Sequence, residues 1–515
     1  MHPNLPEKYV DLSACRRMAC PLPYAAMCRP QAAPPPCGSR HRFQEICMAY
    51  PPIPVPADGA SSANAAWQAR SRAAVWHPCT QNARLDAMPP LPIARGQGPW
   101  LIDFDGKRYL DGTSSWWVNL FGHANPHINA ALKAQLDMLE HTMLAGATHR
   151  PAVELAERLV GLTGGVLGHS FFGSDGASAV EIALKMSFHA HRNAGQGTRN
   201  RFICLEHGYH GETLGALGVT DVAIFRDAYD PLILQSHRVP SPDARLAGPG
   251  ETAADVAERA LAALRDCLAA NDGTIAAVII EPLVQCAAGM AMHDAGYLRG
   301  VRALCDQFGV HWIADEIAVG CGRTGTFFAC EQAGVWPDLL CLSKGISGGY
   351  LPLSIVLSRD AIYAAFNDEA PVRSFLHSHS YTGNPLACRA ALATLDLFAE
   401  EDVFARNRVT AARIAQGLAP LAHDARFVHL RQAGMITAFD VHPEVAGPRF
   451  PERFALTART HGLLLRPIGN TVYLLPPYVL TDDETDALVE RTLHTLEDTL
   501  AQATGAHEGE THAIA

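Results

Sequence analysis

The chain has 515 residues, more than a single hydrophobic core usually serves, so a large domain with a smaller companion and a tail is the expected organisation. Its formal charge is -11 and its 41 Lys and Arg are scattered without a basic run. That balance argues against nucleic acid or an anionic membrane surface as the main partner and favours a small-molecule enzyme. No stretch approaches the roughly 20 apolar residues of a spanning helix, and the N-terminus lacks the charged-then-apolar order of a signal peptide, so a cytoplasmic location is expected.

Residues 1–70 are rich in Pro, Ala, Ser and Cys, as in PQAAPPPCGS and YPPIPVPADGASS, and show neither helical nor strand periodicity. A disordered extension is expected there, with translation starting at Met48. Order is expected from about WQARSRAAVWHPCTQ onward. GPWLIDFDGKRYLDGTSSWW then reads as short alternating strands around an Asp-Gly turn. From about residue 125, amphipathic helices (INAALKAQLDML, AVELAERLVGL) alternate with compact apolar runs (RFICLEH, AAVIIEP, HWIADEI, LLCLS). Such alternation predicts an α/β fold with a mainly parallel sheet covered by helices on both faces. After PLACRAALATLDLFAEE, the strands GMITAFDV and TVYLLPPYV with flanking helices predict a smaller α+β region.

Of the 14 cysteines, Cys15, Cys20, Cys28, Cys37 and Cys47 lie in the extension without the paired spacing of a metal site. The rest fall in expected elements or turns, where thiols fill space as small apolar groups; reduced thiols and no metal are the expectation.

In open parallel sheets ligands collect at the carboxyl ends of strands, and three such places carry specific chemistry. FFGSDGASAVEIALKMSF puts Gly176 and Ala177 at a helix start, where free N–H groups and the dipole favour a phosphate. The plain alternative is an N-cap, Ser174 or Asp175, for the helix carrying Glu181. Asp315 ends the apolar run VHWIADEI, with Glu316 pointing to the opposite face. Lys344 follows LLCLS, 29 positions after Asp315, and leads into the flexible turn GISGG. An amine emerging from a buried edge has a lowered pKa and can attack an aldehyde, and a carboxylate can keep a pyridine nitrogen protonated. Together they predict pyridoxal phosphate chemistry. Tyr209, in CLEHGYHGETLGA, is placed to stack on a flat ring, or else to close a turn against the core. His207 and His210 beside it lack the acidic third ligand of a zinc site.

These residues resemble the class III, or ω-, aminotransferases of the fold type I pyridoxal phosphate superfamily. WHPCTQ, DGTSSWWVNLFGH, GYHGET, IADEIAVGCGRTGTFFACE and HSHSYTGNPLACRAA carry the resemblance, which spans roughly residues 72–500. It implies a large cofactor-binding domain over 113–400 and a small α+β domain built from both chain ends, 71–112 and 401–515. It also implies that Lys344 holds the cofactor covalently and that Asp315 pairs with its ring nitrogen. Tyr209 would stack on the ring, with Gly176 and Ala177 at the phosphate. A hydroxyl residue is usual where Ala177 stands; a backbone N–H, Ser174 or Ser178 would compensate. His379 and Ser380 match positions reaching the phosphate of a neighbouring subunit, which implies a homodimer with shared active sites. Trp116, helped by Trp117, would pack on the substrate chain, Arg466 would pair with a carboxylate, and Ser378 would add a further contact.

Within the family the motifs are most similar to the biotin-pathway branch, which implies 8-amino-7-oxononanoate as acceptor and S-adenosylmethionine as donor in a ping-pong exchange. One departure stands out. That branch has an aromatic residue where this chain has Cys79, so either another ring such as Tyr473 fills the space or the donor is held differently. The alternatives are a class III enzyme pairing ω-amino acids with pyruvate or 2-oxoglutarate and, more remotely, a nicotinamide-dependent oxidoreductase, although no GxGxxG opens a helix after an early strand.

Overall fold

A computed structural model describes residues 62–511, with side chains as far as Gln502. The expectations for the extension up to residue 61, including a start at Met48 and the five cysteines there, lie outside the described residues. Residues 62–70 differ from expectation: a helix runs over Ala63–Ala74. The Ser62 side chain accepts from the Ala65 N–H, Trp67 stacks on Phe104 with ring centroids 4.8 Å apart, and Asn64 Nδ2 donates to Asp103 at 2.9 Å. The helix buries none of its residues fully, so its composition carries no amphipathic signal, and it is held by these few contacts.

Strands β1 (Ile93–Gln97), β2 (Trp100–Asp103) and β3 (Arg108–Asp111) form an antiparallel meander, with Asp105 and Gly106 in the turn between the last two. The strand pattern stops at Asp111, and SSWW beyond it is a tight turn, described below. Next come β4 (His169–Gly173), β5 (Arg201–Leu205), β6 (His237–Val239), β7 (Ile275–Ile280), the two-residue β8 (Val284–Gln285) and β9 (Ala291–Met292), β10 (His311–Asp315), β11 (Leu339–Leu342) and β12 (Ser354–Ser358). A seven-stranded sheet has the order β4-β12-β11-β10-β7-β5-β6. Its strands are parallel except β12, which is antiparallel to both neighbours. β7, β11 and β12 are buried at every position, which is why β7 and β11 read as continuous apolar runs without alternation.

β13 (Phe427–Ala433) and β14 (Ile436–Val441) pair with β16 (Thr471–Leu474) in a separate antiparallel sheet. β15 (Leu463–Leu464) instead joins β3 in parallel, bringing residues from near both ends of the chain into one sheet. A second apolar cluster fills this region, from Leu110 through Phe439, Phe450 and Phe454 to Leu488 and Leu500. Among the described residues no helix is long and apolar enough to cross a membrane, and the nine described cysteines are free thiols, seven of them buried.

At the opposite ends of the strands from Asp315, His191 and His311 stack with centroids 4.0 Å apart. His191 Nε2 donates to the Ala276 carbonyl at 3.0 Å, and His311 Nδ1 lies 3.0 Å from the Ser187 hydroxyl. Burial, and for His311 also the facing His191 ring, lowers both pKa values, that of His311 to about 3. Asp338 opposes the shift, and Arg199 and Arg302 add to that of His311. The pair is therefore neutral when folded and takes up protons more readily when unfolded. Its contribution is intact above the unfolded value of about 6.5 and is lost as pH falls from there toward 3. Urea midpoints measured from pH 7 to pH 4 should fall more steeply for the wild type than for His311→Gln; equal slopes would contradict this assignment.

Candidate active site

Lys344 sits just beyond β11 in the left-handed region, with φ 48°. Its Nζ lies 4.3 Å from the centroid of the Trp117 ring and has no hydrogen bond or ion pair among the described residues. Burial lowers its pKa, opposed by Cys286, Asp315 and Glu281. Such an amine has a larger neutral, nucleophilic fraction than an exposed lysine. The turn after it closes through Gly348 and Gly349. A Cβ on Gly349, at φ 83°, would stand 2.9 Å from the Val118 carbonyl carbon, so only glycine lets the two backbones approach.

Asp315 ends β10 between the parallel strands β7 and β11, and is 4% exposed. Its Oδ2 lies 2.7 Å from His210 Nδ1 and its Oδ1 accepts from the Ile317 N–H at 3.1 Å. Glu316 is engaged elsewhere, accepting the N–H groups of Ala329 (2.7 Å) and Cys330 (2.8 Å), and burial pushes its pKa up to about 7. His210 is thus the immediate partner of Asp315. The sequence holds the pair only as two strand-end residues 105 positions apart, and their contact depends on β5 and β10 flanking β7.

The helix Gly176–Asn193 starts directly after β4, with Asp175 as N-cap accepting the Ser178 N–H at 2.9 Å. The capping alternative is therefore realised by Asp175, yet it leaves the N–H groups of Gly176 and Ala177 without protein acceptors among the described residues. Gly211, at φ 122°, lies so close that a Cβ there would be 2.6 Å from the Ala177 Cβ, so the Tyr209 loop packs directly on this helix start. Tyr209 donates its hydroxyl to Glu212 at 2.9 Å, and its ring lies 5.4 Å from that of Phe225. Burial, with the nearby Glu212, raises its pKa and keeps it protonated. Glu281, a residue to which the sequence reading assigned nothing, accepts the N–H groups of Tyr209 and Cys286, both at 3.0 Å. Burial pushes its pKa up to about 7.

The segment SSWW forms one left-handed turn: Ser114, Ser115, Trp116 and Trp117 have φ of 49°, 48°, 69° and 75°. For non-glycine residues this costs on the order of 1–2 kcal/mol each, so the surroundings must over-determine it. Asp111 accepts from both the N–H (2.9 Å) and the hydroxyl (2.7 Å) of Ser115, and Ser114 Oγ donates to the Leu475 carbonyl at 2.7 Å. Arg323, 1% exposed, donates to the carbonyls of Pro476 (2.7 Å), Asn119 (3.1 Å) and Trp117 (3.4 Å).

The turn sends its two indoles apart. Trp116 is 47% exposed, with the Arg466 guanidinium 5.0 Å from its ring, while Trp117 is buried and donates Nε1 to the Tyr473 hydroxyl at 3.1 Å. Arg466 is exposed and donates to the Cys79 carbonyl at 3.2 Å. Cys79 itself is exposed at φ 47°, and its thiol pKa is raised by burial of its surroundings and by Glu212, against Arg466. Tyr473 is buried against Trp117, with its hydroxyl pushed up to about 12 by burial.

His379 Nδ1 lies 3.2 Å from Ser174 Oγ of the same chain, beside the helix start, and its N–H donates to Thr382 at 2.9 Å. Ser378 and Ser380 on either side are exposed. A separate cavity of about 800 Å³ is lined by His207, Arg226, Arg238 and Arg245 but not by Lys344, Asp315 or Tyr209, and each of these arginines is paired with an aspartate.

A strand-end lysine and aspartate and a phosphate-ready helix start in one α/β sheet match a known family. The aminotransferase class-III family model matches residues 81–496. The chain belongs to the class III aminotransferases. Among curated relatives of this class III chain, the adenosylmethionine-8-amino-7-oxononanoate aminotransferase of Helicobacter pylori is 44% identical over 434 residues, covering 82% of this chain and 96% of that protein. The protein of the same name from Geobacter sulfurreducens is 40% identical over 437 residues, with the same coverage. The crystal structure of adenosylmethionine-8-amino-7-oxononanoate aminotransferase from Methanocaldococcus jannaschii superposes with a TM-score of 0.79 at 33% identity, covering 84% of this chain and 99% of that one. An amine transaminase from an uncultivated Pseudomonas species in the PLP-bound form does so with 0.77 at 34% identity, with the same coverage.

This class III aminotransferase is accordingly a pyridoxal phosphate enzyme of fold type I. The residues present fit that cofactor: among the described residues, an amine without a hydrogen-bond partner, a buried carboxylate and two unpaired helix-start N–H groups would serve its aldehyde, ring nitrogen and phosphate respectively.

Proposed function

We propose that the chain transfers an amino group from S-adenosylmethionine to 8-amino-7-oxononanoate, giving 7,8-diaminononanoate for biotin synthesis. The observation that carries this is the shared name of the relatives, matched over at least four fifths of this chain at up to 44% identity. The exposed face of Trp116 beside the Arg466 guanidinium supports it, because a long-chain keto acid needs an apolar wall and a cation at its far end.

In this reading Lys344 binds the cofactor covalently and Asp315 serves its ring nitrogen, with His210 fixing the carboxylate from behind. Gly176 and Ala177 donate N–H groups to the phosphate, and Tyr209 covers the ring while Glu281 pins its backbone. When bound, the cofactor supplies an aldehyde that receives nitrogen and a ring that takes up the electron pair released from a substrate carbon. Lys344, once displaced by the donor amine, takes the α-proton on Nζ and returns it in the second half-reaction. Trp116 and Trp117 wall the substrate chain, Arg466 holds its carboxylate, and Cys79, Tyr473 and Ser378 border the entrance. The protein is in this reading a cytoplasmic homodimer, in which His379 and Ser380 of each protomer reach the phosphate in the neighbouring site. The division into a large domain, 113–400, and a small domain from 71–112 and 401–515 belongs to the same proposal.

A donor panel with 8-amino-7-oxononanoate as acceptor tests the assignment. S-adenosylmethionine should yield 7,8-diaminononanoate by mass spectrometry. Because Cys79 stands where related enzymes carry an aromatic residue, ω-amino acids belong in the panel too. Turnover of these with pyruvate or 2-oxoglutarate, without turnover of S-adenosylmethionine, would replace this reading with a general ω-aminotransferase.

A further inference from the structure

We infer that Trp117 is a positioning residue for the Lys344 amine: the face of its indole is where Nζ rests whenever it is free, and the Tyr473 hydroxyl holds the indole for that purpose. The inference rests on reading Lys344 as the cofactor-binding lysine. It goes beyond that reading by giving Trp117 a role toward the enzyme's own amine in addition to its place along the substrate chain.

Four observations converge. Lys344 Nζ is 4.3 Å from the ring centroid, within cation–π range, and no carboxylate, carbonyl or hydroxyl among the described residues bonds it. Trp117 is 5% exposed and cannot swing aside, because its Nε1–H is spent on Tyr473 Oη at 3.1 Å and the two rings meet edge to face, 6.1 Å apart at 76°. Tyr473 is itself buried in β16, so the clamp is anchored in a sheet. The left-handed turn separates Trp117 from Trp116, whose ring is exposed beside Arg466; adjacent residues of the same type thus face different groups.

The physical need is clear. In the apoprotein, and at the stage when the donor has displaced it, Lys344 carries a free amine in a buried place. An ammonium there without acceptors would drift toward the Asp315 carboxylate, which the cofactor ring requires. The electron-rich indole face offers an alternative that is attractive to the cation and offers no lone pair to capture its protons. The other ionisable groups acting on the amine are Cys286, Asp315 and Glu281, and those acting on Tyr473 are Arg466, Cys286 and Asp111.

The test is the pH dependence of Lys344 acetylation in the apoprotein by acetic anhydride, read by mass spectrometry of the Lys344 peptide. The ring favours the charged form, so Trp117→Leu should lower the apparent pKa of Lys344 further, by roughly half to one unit, a three- to tenfold change in acid constant. Trp117→Phe, which restores an aromatic face, should recover part of that shift. An unchanged pKa in Trp117→Leu, or a Phe variant shifted as far as Leu, overturns the inference. Should Trp117→Leu fail to fold, Trp117→Phe decides alone: a smaller downward shift supports the inference and none overturns it. Borohydride reduction of the holoprotein, followed by mass mapping, separately shows whether the cofactor is attached at Lys344. Attachment elsewhere defeats the active-site reading itself, whereas the titration addresses Trp117.

Discussion

Replacing Lys344 by alanine is expected to abolish amine transfer, lowering turnover by more than about 10⁴-fold, because in the proposed reading the variant loses both the covalent link to the cofactor and the group that carries the proton between carbons. Turnover would be followed as 7,8-diaminononanoate formed from 8-amino-7-oxononanoate and S-adenosylmethionine, alongside the cofactor's visible absorbance. The side chain makes no hydrogen bond among the described residues, so its removal should leave the fold intact and the pocket able to hold cofactor loosely. Wild-type turnover in this variant would refute the assignment of the lysine.

The second large effect is expected at Arg323. Its guanidinium, with its pKa lowered by burial, donates to three main-chain carbonyls, and its cation lies 4.9 Å from the Tyr478 ring. Arg323→Met fills a similar volume but strips those carbonyls of their donors. A cost of about 3–5 kcal/mol is expected, by analogy with breaking other buried polar networks. Urea unfolding would measure it. Because two of the carbonyls belong to Trp117 and Asn119, the left-handed turn should relax and activity should fall even in the folded fraction. A variant within about 0.5 kcal/mol of wild type and fully active would show that the turn holds itself.

How much of this was legible in the sequence follows from how local each feature is. Lys344, Asp315, Tyr209 and the helix start at Gly176 each stand at the end of an apolar run, and strand ends in a parallel sheet gather on one side. Their neighbourhood was therefore readable without coordinates. His210 and Glu281 were not, because their partners are set by strand order: β7 lies between β5 and β10, a fact that no local pattern holds. The geometry of SSWW was hidden for a stronger reason. Local preference opposes positive φ at serine and tryptophan, and the forces that impose it come from Asp111, Leu475 and Arg323. The helix at Ala63–Ala74 buries no residue fully and so leaves no periodic trace in the sequence. Cys79 shows the reverse case: its departure from the family pattern was visible at once, and the structure adds that Arg466 holds its carbonyl.

The pairing of β3 with β15 has a consequence for the order in which the protein is made. Asp111, at the end of β3, anchors the turn that carries Trp116 and Trp117, yet β3 gains its parallel neighbour only from Leu463–Leu464, and the same turn leans on Leu475 directly and on Pro476 through Arg323. On a ribosome the first of these segments emerges some 350 residues before the second. At about 5–20 residues per second that gap lasts tens of seconds. During that interval the seven-stranded sheet can assemble around Asp315 and Lys344 while the tryptophan turn lacks its C-terminal supports. If the proposed site is right, the nascent chain would acquire the residues assigned to the cofactor first and complete the tryptophan turn last, so that a partly synthesised chain would lack a finished site.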